Sequence, residues 1–223
     1  KGIVMGIEAH RRAKPYNMGT LYWQLNDCWP SISWSSIDYF GNWKALQYKV
    51  KKAFENVLIS SKIENDSVKA FIINDTFETQ KGNLKLKVID FYGKEIWTTS
   101  KKIQVLENSS QQYFSFSLDK IDRKNTVLIA EFNNKKSYFY FAKPKKLNLP
   151  KGEIQQKITK NKNGFSITLK SDVLQKDVFL FTTKKDLFSD NFFDLFPNKP
   201  KTVFFETEAK SLQDIKFKTL NNL

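Results

Sequence analysis

Residues 19–46 read Gly19-Thr20-Leu21-Tyr22-Trp23-Gln24-Leu25-Asn26-Asp27-Cys28-Trp29-Pro30, then Ser31-Ile32-Ser33-Trp34-Ser35-Ser36-Ile37-Asp38-Tyr39-Phe40-Gly41-Asn42-Trp43-Lys44-Ala45-Leu46. The apolar run from Met18 to Leu25, closed by Asn26-Asp27, suits a strand buried on both faces, as in a parallel barrel. After a loop rich in Ser and Trp, Asn42 can cap a helix in which Trp43, Leu46, Val50 and Phe54 recur at spacings of three and four. Lys44, Lys49, Lys51 and Lys52 are left largely on its other faces. Upstream, Ile3, Ile7 and His10 share a helical face, and Lys14-Pro15 should end that helix because proline disfavours helical backbone in the residue before it. The pattern is helix, strand, helix: one unit of a barrel that needs eight. The opening Lys-Gly-Ile-Val-Met-Gly has none of the succession of a signal peptide. The chain is therefore expected to begin inside a helix, as a piece of a larger protein.

Downstream of Glu55 the texture changes to short alternating runs. Leu84, Leu86 and Val88 alternate with Lys85 and Lys87, and Phe114, Phe116 and Leu118 with Ser115 and Ser117. Val68, Ala70 and Ile72 do so less cleanly because Phe71 and Ile73 intervene, and Val127 to Phe132 reads as a fully buried strand. Turn residues separate the runs at Asn74-Asp75, Gly82-Asn83, Tyr92-Gly93 and Asn108-Ser109. This spacing predicts an antiparallel β-sandwich. Lys143 to Gly152, with two prolines and a run of lysines, is the linker. A second series follows, at Phe165 to Leu169, Val178 to Phe181, Val203 to Phe205 and Ile215 to Phe217, with a structured bend of buried aromatics at Ser189 to Pro197. The fold class is mainly β: two immunoglobulin-like antiparallel β-sandwiches preceded by an α/β remnant (helix-strand-helix) of a TIM barrel. The divisions are 1–55 for the barrel end, 56–145 for the first sandwich and 146–223 for the second.

Composition narrows the function classes. One Cys and one His among 223 residues leave no internal disulfide and no His-rich metal site, so no metal or cofactor is expected. Cys28 reads as a small buried residue beside Trp29. No apolar stretch reaches the length of a membrane-spanning helix, so no membrane partner is expected. A formal net charge of +14 invites a nucleic-acid reading, yet Arg occurs only at positions 11, 12 and 123. The lysines are scattered in pairs such as Lys51-Lys52, Lys101-Lys102, Lys135-Lys136 and Lys184-Lys185, whereas nucleic-acid binders concentrate charge and favour Arg. Solvated surface explains the charge without a nucleic-acid partner.

Leu21 to Asp27 and Trp29, followed by Trp34, Asp38-Tyr39, Gly41 and Trp43-Lys44-Ala45-Leu46, resemble the eighth strand and eighth helix of the catalytic barrel in β-mannosidases of glycoside hydrolase family 2. Ser189-Asp190-Asn191-Phe192-Phe193-Asp194-Leu195 resembles a segment of the terminal immunoglobulin-like domain of the same enzymes. The resemblance implies a retaining exo-β-mannosidase that removes terminal β-linked mannose from oligosaccharides or glycoprotein glycans. Retaining hydrolysis uses two carboxyl groups about 5 to 5.5 Å apart, and in this family both are glutamates on earlier barrel strands. No catalytic residue is therefore assigned here, and Glu8 reads as a solvated carboxylate on a helix face. The upstream barrel and the N-terminal domains of the same polypeptide are the implied partners.

Barrel enzymes place their sites at the C-terminal ends of strands, where Trp23, Asn26, Asp27 and Trp29 would fall. An indole face is a platform for the C–H side of a pyranose, and Asn and Asp can bond its hydroxyls. By resemblance, Trp23 matches the strand-eight tryptophan flooring the −1 subsite. Asn26 and Asp27 equally suit ending the strand and capping the next loop, and Trp29-Pro30 equally suits bracing it; Asp38 suits orienting the loop back to the helix. Two alternatives stand beside this reading. One is a sister family 2 activity of the β-galactosidase or exo-glucosaminidase type; the other is a non-catalytic carbohydrate- or protein-binding β-sandwich module. Glycan degradation points to a periplasmic, secreted or lysosomal setting without choosing among them.

Overall fold

The computed structural model describes residues 2–182, 187–207 and 215–222; the Lys184-Lys185 pair lies outside them. The chain forms two compact units that do not follow chain order. One comprises Lys1–Tyr22, Val50–Asp90 and Lys94–Asn148; the other comprises Trp23–Lys49, Phe91–Gly93 and Leu149–Leu223.

In the first unit, helix α1 (Gly2–Arg12) precedes seven strands: β1 (Val57–Glu64), β2 (Ser67–Asn74), β3 (Gln80–Asp90), β4 (Glu95–Val105), β5 (Ser109–Ser117), β6 (Thr126–Phe132) and β7 (Lys135–Tyr140). They form two antiparallel sheets, ordered β1-β2-β5 and β4-β3-β6-β7. The alternation seen in the sequence sets the faces. Leu84, Leu86 and Val88 pair in register with Phe132, Ala130 and Leu128, and all six are sealed from solvent with Val68, Ala70 and Ile72 of the opposing sheet. Each large aliphatic side chain fully buried there contributes roughly 1.5–3 kcal/mol. Ile73 is also fully buried, although it points away from that core, because α1 lies against β2 and β5. The covered outer face is what blurs the period-2 pattern of β2. β4 and β5 are sheet edges, and Trp97 packs there against Phe114 and Phe116, with ring centroids 6.0 and 4.8 Å away.

Two details explain the chain reversals. Asn65 and Asp66 both adopt positive φ in the two-residue link between β1 and β2, the backbone a tight hairpin demands and Asn-Asp tolerates. Asn74, fully buried at the end of β2, donates to the carbonyls of Glu78 and Leu106 at 2.8 and 3.0 Å and accepts from the Thr76 amide at 3.1 Å. One amide side chain thus ties together the two loops that cross between the sheets.

The second unit carries β8 (Gln155–Asn161), β9 (Gly164–Lys170), β10 (Gln175–Phe181), β11 (Phe193–Leu195), β12 (Lys201–Glu206) and β13 (Lys216–Lys218). Its sheets are ordered β12-β9-β8 and β11-β10-β13, around Ile167, Leu169, Val178, Leu180, Val203 and Phe205. The bend after Phe188 is fixed by Asn191, whose side chain exchanges two 2.8 Å hydrogen bonds with the backbone of Leu180 as a ladder residue would. Gly164 has φ +145°, and a Cβ there would sit 2.1 Å from the Phe205 carbonyl oxygen. Only glycine permits that approach of β9 to β12.

Several expectations need correcting. Residues 18–25 form no strand; the chain bends at Trp23 and Leu25 before an isolated bridge between Asn26 and Ile37. No strand lies alongside them among the described residues, and without a neighbour no ladder exists. Helix α2 (Ala45–Ala53) is not capped by Asn42, whose amide side chain instead donates to Asp38 at 2.9 Å. Tyr48, Val50 and Ala53 form its buried positions while Phe54, just beyond its end, is exposed. Cys28 is exposed, while its neighbour Asp27 takes the buried position. Glu8 is no solvated carboxylate. It accepts from Ser60 of β1 at 2.6 Å and lies 3.7 Å from Arg12 one turn on, and burial pushes its carboxyl pKa up against these partners.

Candidate functional site

The Trp-rich stretch folds into a loop stitched to itself by its own backbone. The amide of Ile37 donates to Leu25 O at 2.8 Å, that of Asp27 to Ile37 O at 3.1 Å, and that of Lys44 to Ser36 O at 2.9 Å. Ile37 thereby bridges Asn26 on one side and Trp43 on the other. The turn between is closed by Asp38, which accepts from the Asn42 amide at 2.8 Å and from its side chain. Burial pushes the Asp38 carboxyl up, but the hydrogen bonds from Asn42 and the Phe40 amide outweigh it and hold it below the ordinary range.

At the centre of this loop Asp27 is only 6 % exposed. Its carboxylate accepts from the Ser33 hydroxyl on one oxygen, and on the other from Ser35 at 2.8 Å and the Lys44 ammonium at 3.0 Å. Lys44 also reaches Ser35 Oγ at 2.7 Å and Ser33 Oγ at 3.3 Å. Ser35 Oγ lies 2.8 Å from the Ile37 carbonyl, so its single proton serves that carbonyl or Asp27, one at a time. The Ser33 hydroxyl foremost, with Ser35 and Lys44, holds the Asp27 carboxyl below its usual range against the upward push of burial. Asp27 is thus an ionised acceptor with both oxygens engaged. Ser36 is fully buried, its hydroxyl 2.9 Å from Leu25 O and 2.7 Å from Gln47 Oε1, with its single proton serving one of them at a time.

The residues flanking Asp27 face the other way. Trp23 is 76 % exposed and Trp29 66 %, and Asn26 is exposed with its amide 3.3 Å from the Asp27 carbonyl. The Trp23–Gln24 peptide is cis, and the Gln24 side chain donates to Asn26 O at 2.9 Å. Leu21, Leu25, Ile32, Trp34, Tyr39 and Phe40 are exposed as well. Of the four residues singled out from the sequence, three present their side chains to solvent on one loop and Asp27 lies under them. Ser33, Ser35 and Lys44 were not singled out. A signal for them existed in the three serines at 33, 35 and 36, hydroxyl donors within ten residues of an acid in an otherwise aromatic loop. Among the described residues no three His, Cys, Asp or Glu side chains gather closely enough to hold a metal ion.

Residues 66–146 match the family described as Mannosidase Ig/CBM-like domain, and residues 149–223 match the Ig-fold domain of the Ig_mannosidase family. The chain carries two mannosidase-type immunoglobulin-like domains. These mannosidase-type domains, with the stretch before them, are similar to the Beta-mannosidase A of Aspergillus fumigatus, at 23% identity over 222 residues covering 88% of this chain and 24% of that protein. The Aspergillus terreus protein of the same name is 25% identical over 91% of this chain and 25% of its own length. The chain therefore spans about a quarter of the length of these relatives. Among solved structures, the β-D-mannosidase of Dictyoglomus thermophilum superposes with a TM-score of 0.85 at 27% identity, over 97% of this chain and 28% of that one. An exo-chitosanase of Amycolatopsis orientalis shares the fold at TM-score 0.74 and 15% identity, over 99% of this chain and 32% of its own. The similarity is to the C-terminal part of family 2 β-mannosidases.

Proposed function

We propose that the complete polypeptide carrying this chain is a retaining exo-β-mannosidase that removes terminal β-linked mannose from oligosaccharides or glycoprotein glycans. In this reading residues 1–55 are the end of its catalytic barrel, and residues 56–145 and 146–223 are accessory sandwiches. Trp23 forms a wall of the sugar subsite, with Asn26 and Trp29 at its edge. Both catalytic glutamates come from earlier barrel strands, so the chain by itself hydrolyses nothing. The observation that supports this most is the exposed Trp23, Asn26 and Trp29 on one self-stitched loop, in a chain that superposes nearly throughout on a β-D-mannosidase.

The binding-module alternative needs an aromatic platform on a sandwich surface. Trp97, the one tryptophan after Trp43, is instead packed on Phe114 and Phe116, which favours the enzyme reading. The test is hydrolysis of p-nitrophenyl β-mannoside, β-glucosaminide and β-galactoside by the complete polypeptide and by its Trp23→Ala variant. Selective cleavage of the mannoside, with kcat/KM lost on removing the indole, is expected. Selective cleavage of another glycoside moves the enzyme to a sister specificity, and no cleavage by the wild type returns the binding module.

A further inference from the structure

Asp27 was a candidate sugar ligand, yet its geometry suits a different task. Its side chain is 4 % exposed, both oxygens are engaged by Ser33, Ser35 and Lys44, and its amide is held by Ile37 O. A carboxylate so buried, with donors of its own loop on both oxygens, is shut off from a sugar. What it does have is leverage. It sits one residue after Asn26 and two before Trp29, and its three donors come from the far side of the loop and from the residue just before α2. Removing the carboxylate takes away the side-chain link between the two arms of the loop and leaves only their backbone links and Ser36.

We infer that Asp27, clamped by Ser33, Ser35 and Lys44, is a positioning residue that sets the placement of Trp23, Asn26 and Trp29 toward a bound glycoside. This rests on the sugar-subsite reading above. The arrangement is specific to an acceptor with two oxygens. An amide at position 27 keeps one acceptor and, with its NH2 in place of the second oxygen, points a donor at the Lys44 ammonium, which cannot accept. Near-attack geometry tolerates little displacement, and a shift of about 1 Å can cost roughly a hundredfold in rate.

The test uses the complete polypeptide, its Asp27→Asn, Ser35→Ala and Asp27→Asn/Lys44→Met variants, and Trp23→Ala as a reference. Each is measured for p-nitrophenyl β-mannoside hydrolysis, for binding of the non-hydrolysable β-thiomannoside, and for Tm. Fluorine NMR of 5-fluorotryptophan protein follows Trp23, with Trp97 as an internal control. The expected result is a roughly tenfold or greater weakening of thiomannoside binding in Asp27→Asn, in line with the cost of misplacement, with the Trp23 resonance moved and Trp97 unmoved. Ser35→Ala, the milder change, should shift both readouts in the same direction by less. The double variant, which removes the unmatched charge, should regain Tm without regaining binding. Wild-type binding and an unmoved Trp23 signal in Asp27→Asn and Ser35→Ala, or binding restored together with Tm in the double variant, overturns the inference alone. A Trp23→Ala variant that binds and hydrolyses like wild type overturns the subsite reading and this inference with it.

Discussion

The Arg11 guanidinium lies 2.9 Å from the Asp75 carboxylate, joining the last turn of α1 to the residue after β2. Arg11 is itself 6 % exposed and also donates to the backbone carbonyls of Ala53 and Glu55, the latter at 2.8 Å. One cation therefore links α1 both to the stretch that ends α2 and to the residue after β2. Arg11→Met leaves the Ala53 and Glu55 carbonyls without this donor, while Asp75 keeps Lys14 at 2.6 Å, and should cost about 2 kcal/mol. Chemical denaturation of the chain reads this directly; a loss under about 1 kcal/mol, typical of an exposed pair, would contradict the clamp.

Asn74 offers a second test, because its side-chain hydrogen bonds bind two crossing loops. Asn74→Ala leaves the Glu78 and Leu106 carbonyls without that donor and should cost about 2–3 kcal/mol. Asn74→Asp should be worse, since it aims negative charge at two carbonyl oxygens. A smaller loss for Asp than for Ala in thermal melts would refute this account.

Glu8 should make the fold less stable as pH rises. Its folded pKa lies above the ordinary carboxylate value, so the native state holds this proton more tightly than the unfolded chain. The group's contribution is therefore fully present below its unfolded pKa and fades as pH climbs through the folded one. Glu8→Gln should flatten the Tm profile between about pH 4.5, the unperturbed value, and neutrality. A Gln variant whose profile matches the wild type there excludes the effect.

Glu64 should act with the opposite sign. The Lys62 and Lys69 ammonium groups lower its pKa to about 2, so its contribution is present above the unfolded value of 4.5 and lost as pH falls toward 2. The pairing is solvent-exposed and screened. Hence 1 M NaCl should erase the difference between wild type and Glu64→Gln in acid titrations monitored by circular dichroism.

Asn221 closes the second unit from its C-terminal end. Its side-chain amide donates to Pro150 O at 2.8 Å and Leu174 O at 2.7 Å, and its oxygen accepts from the Lys176 amide at 2.8 Å. Asn221→Ala should cost about 2 kcal/mol and speed exchange of the Lys176 amide in hydrogen–deuterium exchange. An unchanged Lys176 rate would dissociate the two.

Much of the β architecture is visible in the residues themselves. Leu84, Leu86 and Val88 alternate with lysines because one face of β3 meets the core and the other meets water. Asn191 and its aromatic neighbours mark the bend because an amide can stand in for a ladder pair. The helical remnant was legible in type and less so in detail. Met18 to Leu25 has the composition of a buried strand, but composition does not say whether a neighbour is present to pair with it. The inward turn of Asp27 and the outward turn of Cys28 likewise depend on Lys44 arriving from 17 residues away, and no local pattern encodes that meeting. Glu8 was misread for the same reason, since Ser60, its closest partner, is 52 residues distant.

The backbone passes from one compact unit to the other at Tyr22/Trp23, Lys49/Val50, Asp90/Phe91, Gly93/Lys94 and Asn148/Leu149. The last unit is therefore no detachable cassette. Recombination that exchanged everything after Asn148 would part the Leu174 amide from the Phe91 carbonyl, 2.8 Å away, and Lys49 from Asp177, 3.1 Å away. A gene shuffled at that point would inherit a final domain whose hydrogen-bond and ionic partners stayed behind in the parent, so these segments are built to be passed on together.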